Sequence, residues 1–296
     1  MALGIRPTVD FVFKKTFGDP ANRVALVSLL NAVLDLAEPI TDVVIENPFR
    51  YEEFEGDKLS VLDVLATDAN GSRYHIEMQV TSTASMAQRL VYYACGQVSG
   101  QLVHGQENRE VRPVFMICLL DGVLWRESVS GHHRFNLHSP GTGKSLAGIL
   151  EVHVLELPRY NAKEEDLASL TQVARWIYWL RHAQDYGANK LRELFPGPGF
   201  QRAIDVVEGI AMKTEDRALY ESRLKAERDR QWSINSALAD GIEKGLEKGD
   251  LLGGIRQGRS LLGQPPLAEG EWRDKTLEEL REWADRMGAE LRRGLS

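Results

Sequence analysis

Two carboxylates and one amide are spaced so that a β-hairpin would gather them on one face. Asp63 stands in an apolar run, and Glu77 and Gln79 stand in the alternating run that follows it. The sequence Asp68-Ala-Asn-Gly71 between these runs is typical of a tight turn. If its last three residues form the loop, with the glycine left-handed, Asp63 pairs with Glu77, roughly 5 Å apart at Cβ. Gln79 shares that face because side chains alternate along a strand, and two such carboxylates suit a hard divalent cation such as Mg²⁺.

The polar residues of the hairpin have a second interpretation, which needs no metal. The predicted strand 59–67 is apolar on both faces apart from Asp63, as in a buried strand. A carboxylate there is costly unless it is paired, protonated or bound to a metal. In this second interpretation Asp63 bonds Arg73 or Lys58. Glu77 is then a solvated residue on the hairpin.

The elements that must position the hairpin are predicted from hydrophobic periodicity and from helix breakers. A first helix spans 8–36 with a break at Gly18-Asp-Pro20. A later helix is capped by one of Thr81, Ser82 and Thr83 and runs to about His104. Strands are predicted over 41–47, 59–67, 72–80, 111–120, 124–129, 133–138 and 150–157, and further helices over 163–185, 199–211 and 215–230.

Five segments in this order resemble one known family. They are the helix start Asp10–Gly18, its continuation Leu29–Leu34, the hairpin 63–79, the helix Arg89–Tyr93 with Gln97 and Gln101, and the late strand Leu150–Tyr160. As a set they resemble the PD-(D/E)XK nucleases, and among these the Rpn family of recombination-promoting nucleases and transposases. Gln79 stands where many superfamily members have Lys, although Glu-x-Gln is usual in the Rpn branch.

The resemblance implies a fold, an activity and a partner. The implied fold is α/β, a restriction-endonuclease-like core with a mixed central sheet flanked by helices and a helical C-terminal extension. The implied activity is that of a metal-dependent DNA endonuclease, transposase-like and promoting recombination. Its cofactor would be Mg²⁺, or Mn²⁺ or Ca²⁺, and its partner would be DNA.

Roles for the hairpin residues follow from phosphodiester hydrolysis, in which a bound metal activates water and offsets negative charge. Asp63, Glu77 and the Met78 carbonyl would ligate the metal. Gln79 would orient the nucleophilic water or hold a phosphate oxygen. Asp10 could reach the same metal, or it could instead cap the first helix.

Contacts to the substrate are expected from two helices. Lys14 and Lys15 are candidates for phosphate contacts, with ordinary solvated lysines as the alternative. Four residues of the helix after the hairpin are spaced to line one face over the site: Arg89, Tyr92, Tyr93 and Gln97. The alternative for the two tyrosines is ordinary packing on the sheet.

The composition is that of an ordinary globular chain with an acidic balance. The 296 residues carry a net charge of −7, so affinity for DNA should be modest and salt-sensitive. Cys95 and Cys118 are the only cysteines, which suits a reducing compartment and disfavours a zinc site. No apolar run is long enough to span a membrane and the N-terminus has no secretory pattern, so we expect a cytoplasmic location.

Three other classes of function stay open on the sequence. The first is a DNA-binding relic with weak catalysis, because Gln79 removes a cation that many superfamily members have. The second is an interaction protein that acts through its C-terminal helices. The third is a metal-dependent hydrolase of a non-nucleic substrate, which the acidic net charge favours.

The C-terminal part carries a glycine repeat. Glycines recur every four residues and would form one stripe on a helix, at Gly241, Gly245, Gly249 and Gly253. Close helix association, as in a homodimer, is one interpretation, and a loosely helical linker is the other. The predicted domains are a nuclease-like core at 1–160, a helical extension at 161–235, a glycine-rich helix or linker at 236–264 and a small helical unit at 265–296.

Overall fold

The chain folds into two compact units, residues 1–225 and residues 226–296. The computed structural model describes residues 1–50, 63–80, 85–102 and 107–294, with the backbone alone at positions 63 and 294. The first part of the predicted strand 59–67, the predicted cap at Thr81–Thr83 and the predicted helix end at His104 lie outside the described residues.

The first unit contains both helices and strands. Its elements are α1 (Asp10–Phe17), α2 (Arg23–Leu34), β1 (Val44–Ile45), β2 (Asp63–Thr67), β3 (Arg73–Gln79), α3 (Met86–Ser99), β4 (Val114–Leu120), β5 (His132–Asn136), β6 (Leu150–Glu156), α4 (Gln172–His182), α5 (Ala188–Leu194) and α6 (Pro198–Met212). The long helix α7 (Thr214–Leu261) begins in this unit and ends in the second, which also holds α8 (Glu269–Trp272) and α9 (Leu277–Gly294).

The strands form one mixed sheet in the order β1-β2-β3-β4-β6-β5. The hairpin strands β2 and β3 are antiparallel, β3 pairs in parallel with β4, and β4 pairs in parallel with β6. Helix α3 makes the connection between the parallel strands β3 and β4. The hairpin therefore lies inside the sheet, with β3 bonded on both of its edges.

The predicted turn and register of the hairpin are confirmed. Gly71 adopts a left-handed φ of 80°, and the Asp68 N–H donates to the Ser72 carbonyl at 3.1 Å. The Asp68 carboxylate also accepts from the N–H groups of Asn70 and Ser72, so the turn satisfies its own backbone donors. This geometry pairs position 63 with Glu77 in the ladder.

The two faces of the sheet are covered by different helices. One face packs in the main core with α1, α2, α4 and α6, and it presents Tyr74, Ile76 and Met78 from β3. The other face lies under α3 and presents apolar residues such as Cys118 and Val154. Glu77 is the ladder neighbour of Cys118, so the hairpin's polar residues belong to the α3 face.

Local breakers explain several element boundaries. The first helix is interrupted at Gly18-Asp-Pro20 as predicted, and the Asp19 side chain accepts from the Ala21 N–H. Helix α3 ends at Ser99, short of the predicted end at about His104, and the N–H of its C-terminal cap Gly100 bonds the Gly96 carbonyl. The predicted strand 41–47 is correct only over β1.

Other predicted boundaries were wrong because tertiary contacts decide them. The segment 124–129 is not a strand, and its backbone donors at Leu124 and Trp125 bond the buried Glu156 carboxylate instead. The predicted helix 163–185 is regular only over α4, where the Thr171 hydroxyl caps the start. The predicted helix 215–230 continues without a break to Leu261.

The second unit is built on the end of α7 and on α9. Leu252 and Ile255 of α7 pack against Leu280 and Met287 of α9. A side chain at Gly258 would clash with Met287, so this glycine permits close approach of the two helices. The glycine repeat lies within the continuous helix α7, and its role in association stays a prediction. Of the described helices, none is long and apolar enough to cross a membrane.

Candidate active site

Glu77 is buried in the middle of β3. Only 6% of its surface is exposed, so the interpretation of Glu77 as a solvated residue was wrong. Its ladder partners are position 63 on β2 and Cys118 on β4. Because paired residues in a ladder point to one face, position 63 and Glu77 lie on the α3 side of the sheet. Any contact of the Asp63 side chain, with Lys58 included, falls outside the described residues.

Two donors converge on one oxygen of the Glu77 carboxylate. The guanidinium of Arg89 on α3 donates to Oε1 at 2.9 Å, and the Gln79 amide donates to the same Oε1 at 2.5 Å. Gln79 shares the face because it stands two residues along β3. The structure therefore brings together three of the predicted site residues, one of them from a different element.

The tyrosines of α3 lie beside this cluster. The Tyr93 ring lies 5.9 Å from the Arg89 guanidinium and 6.1 Å from the buried His75 ring of β3, so it packs partly on the sheet. The Tyr92 ring is 75% exposed and lies 6.0 Å from the Tyr93 ring. Gln97 is half-buried one turn further along α3.

Asp10 is held by a residue from far along the sequence. Its carboxylate forms an ion pair with Arg223 of α7 and accepts from the Phe11 N–H at 2.7 Å. The N-terminal cap of α1 is Val9, whose side chain makes no capping bond, so Asp10 does not act as the helix cap. Its role as a metal ligand stays a prediction.

The alternative in which the two lysines of α1 are ordinary solvated residues was wrong. Lys14 is buried, and Lys15 donates to Asp216 of α7 at 2.8 Å. The Lys15 ammonium also lies over the rings of Phe11 and Phe49. Contact of either lysine with a phosphate stays a prediction.

Met78 and Cys118 complete the surroundings of Glu77. Met78 follows Glu77 on β3 with its side chain in the main core, so its backbone carbonyl is the only group it could offer to a metal. Burial raises the pKa of the Cys118 thiol, and the nearby Glu77 charge raises it further. Cys118 is therefore a neutral thiol and not a nucleophile.

The donor set fits a hard divalent cation if Asp63 joins it. Carboxylate, amide and backbone carbonyl oxygens are the ligands that Mg²⁺ and Ca²⁺ take in proteins. The Arg89 cation already offsets part of the Glu77 charge through Oε1, so a metal ion would share this carboxylate with the guanidinium. Among the side chains described, no group of three or more His, Cys, Asp or Glu is arranged to hold a metal.

A second polar cluster, which the sequence did not predict, lies on the opposite face of the sheet. His153 of β6 bonds Glu151 at 2.6 Å and His132 of β5 at 2.8 Å, and Arg134 pairs with Glu151. Burial, followed by the charges of His153 and Arg134, lowers the pKa of His132 to about 4. Glu151 and His153 stand two residues apart on a predicted strand, so the sequence places them on one face. It does not show that β5 pairs with β6 and brings His132 to them.

The fold and the hairpin define a class of protein. A mixed sheet with flanking helices, and an acidic hairpin beside a crossover helix, is the architecture of the restriction-endonuclease-like PD-(D/E)XK fold. The chain matches the family described as PD-(D/E)XK nuclease family transposase over residues 7–237, and it belongs to that family. No curated protein and no solved structure shows significant similarity to the chain.

Proposed function

We propose that the protein is a divalent-metal-dependent DNA endonuclease that acts in transposase-like recombination in the cytoplasm. The observation that carries the proposal is the buried Glu77 carboxylate, paired in register with position 63 on a hairpin of the family's type. Burial of a carboxylate costs free energy even when it is paired with a cation, so such a group inside a sheet is a candidate for a functional role.

The reaction would be hydrolysis of a phosphodiester bond. A water oxygen attacks the phosphorus, the bond to one ester oxygen breaks, and the leaving oxygen takes a proton. Mg²⁺, or Mn²⁺ or Ca²⁺, would be held by Asp63, Glu77 and the Met78 carbonyl, and it would supply an acidified water and charge stabilisation. Gln79 would orient the water or a phosphate oxygen through its amide.

Arg89 brings a cation to Glu77 where the hairpin itself has the uncharged Gln79. Many superfamily members carry Lys where this chain has Gln79, and an amide cannot offset the charge of a phosphate. The Arg89 guanidinium reaches the same carboxylate from α3, with 35% of its side chain exposed. Arg89 would therefore stand close enough to contact a bound phosphate, for which its planar donors are well suited.

We also propose that the C-terminal helices form a homodimer. Apolar side chains on α7 are exposed at four-residue intervals, at Ile234, Leu238, Ile242 and Leu246. A side chain added at the neighbouring Gly241, Gly245 or Gly249 would meet no atom of the same chain within 4 Å. A second copy of α7 could approach closely there and cover the apolar stripe, which offsets the helix penalty of the glycines.

Cleavage of supercoiled plasmid tests the proposed activity. Wild-type protein should nick the plasmid with Mg²⁺ or Mn²⁺ and should not do so with a chelator. DNA binding without cleavage would favour the alternative of a DNA-binding relic with weak catalysis. Absence of both binding and cleavage would favour an interaction protein or a hydrolase of another substrate.

A further inference from the structure

Two exposed tyrosines border the candidate active site. Tyr92 is 75% exposed, an unusual state for so large an aromatic ring, and Tyr93 is less exposed beside it. The two rings are tilted by 54° at 6.0 Å, and the Tyr93 ring contacts Arg89, which bonds Glu77. The aromatic surface is thus continuous with the carboxylate cluster.

The helix that carries these tyrosines offers little charge to a phosphate backbone. Arg89 is the only charged residue in the sequence of α3, and its guanidinium bonds Glu77. The whole chain carries a net charge of −7. Binding to a continuous duplex depends mainly on cations that displace its counterions, and α3 supplies only one of them. Another source of affinity is needed.

We infer that Tyr92 and Tyr93 form a stacking platform for unpaired bases, so that the site acts on single-stranded or locally unpaired DNA. This inference rests on the proposed nuclease function. An exposed aromatic ring attracts any base whose flat face is accessible. Bases in a continuous duplex are stacked on one another and must be extruded at a cost before they reach the ring.

Binding and cleavage should be measured on three labelled substrates of one sequence. They are a single strand, a fully paired duplex and a duplex with an internal unpaired loop. Fluorescence anisotropy with a chelator reports binding, and gel analysis with Mg²⁺ reports cleavage. The variants are Tyr92→Ala and Tyr92→Phe, and the matched control is Trp232→Ala, since Trp232 of α7 is 74% exposed.

The inference predicts tighter binding and faster cleavage of the single strand and the looped duplex than of the paired duplex. Tyr92→Ala should weaken single-strand binding roughly tenfold or more, because one base–aromatic stack is lost. Tyr92→Phe keeps the ring and should bind like the wild type, and so should Trp232→Ala.

The contradicting results separate the two proposals. If the wild type cuts paired duplex as well as single strand and Tyr92→Ala has no effect, the platform is refuted while the nuclease stands. If Tyr92→Ala changes the oligomeric state measured by light scattering, the face is a protein interface and the platform is refuted. If the wild type neither binds nor cuts any of the substrates, the nuclease proposal and the platform both fail.

Discussion

Arg89 on α3 and Glu77 on β3 form an ion pair of 2.9 Å between the crossover helix and the hairpin. The pair links the helix to the hairpin and brings a guanidinium to the carboxylate that we propose as a metal ligand. Gln79 and Arg89 both bond Glu77, and position 63 is its ladder partner, so Glu77 is the centre of the candidate site.

Removal of Arg89 should destabilise the fold. Arg89→Ala leaves the buried Glu77 carboxylate without its guanidinium, and we expect a loss of about 1–3 kcal/mol in the free energy of unfolding. Urea denaturation at pH 7 measures this loss. The control is Arg109→Ala, whose exposed pair with Glu107 should contribute less than about 1 kcal/mol. Equal stability of Arg89→Ala and the wild type would show that the ion pair does not stabilise the fold.

The hairpin turn should tolerate only glycine at position 71. Gly71→Ala must adopt a φ of 80°, and its Cβ would lie 3.1 Å from the Arg112 side chain. We expect a loss of about 1–2 kcal/mol in stability by thermal or urea unfolding. In contrast, Gly209→Ala in α6 meets no atom within 4 Å and should be neutral or stabilise the protein by up to about 1 kcal/mol. Similar effects of the two substitutions would contradict the assigned turn.

Stability should fall in acid because of the histidine cluster. The pKa of His132 is lowered to about 4, and the pKa of His153 is also lowered, chiefly by burial. An unfolded histidine titrates near pH 6.5, so the unfolded state gains protons first as the pH falls below that value. The stability contributed by neutral His132 is therefore present above about pH 6.5 and is lost between there and about pH 4.

Urea unfolding across this pH range tests the histidine cluster. The contribution of His132 is at most about 3 kcal/mol, from 1.36 kcal/mol per unit of pKa. His132→Gln should flatten the dependence, since the charges that face this residue from His133, Arg134, Glu151 and His153 then have no titrating partner there. The exposed His138 provides the control, and His138→Gln should follow the wild type. A wild-type curve that does not change between pH 6.5 and pH 4 would contradict the assignment.

The proposed homodimer depends on the apolar stripe of α7. Leu246 is 67% exposed on the stripe, and Leu261 is 68% exposed at the end of the same helix but off the stripe. Light scattering should give a dimer for the wild type and for Leu261→Glu, and a monomer for Leu246→Glu, because a charge cannot be buried in an apolar interface. A monomeric wild type, or a dimer unaffected by Leu246→Glu, would refute the interface.

The hairpin was the part of the site that the sequence could predict. Asp68-Ala-Asn-Gly71 specifies its own turn, and the turn sets the pairing of position 63 with Glu77 through local geometry alone. Burial of Glu77 could not be predicted in the same way, because it depends on β4 and α3 being adjacent. The alternation of polar and apolar residues along a strand is the same whether water or a helix covers its polar face.

Contacts between distant segments account for most of what the sequence missed. Arg223 and Asp216 of α7 bind Asp10 and Lys15 of α1, and no periodicity in either helix identifies such a partner. The length of α7 was missed for a different reason. Repeated glycines lower helix propensity, yet the helix continues to Leu261, and its end is packed on α9.

Plasmid nicking by hairpin variants tests the central claim most directly. Wild type, Asp63→Ala, Glu77→Ala and the double variant should be compared at matched purity with Mg²⁺, Mn²⁺, Ca²⁺ or a chelator, with Glu165→Ala as an exposed acidic control. Circular dichroism establishes that each variant is folded. We predict metal-dependent nicking by the wild type and Glu165→Ala, and a loss of about a hundredfold or more in the hairpin variants, because the metal supplies both nucleophile and charge stabilisation. Equal nicking by the wild type and the folded double variant would contradict the account.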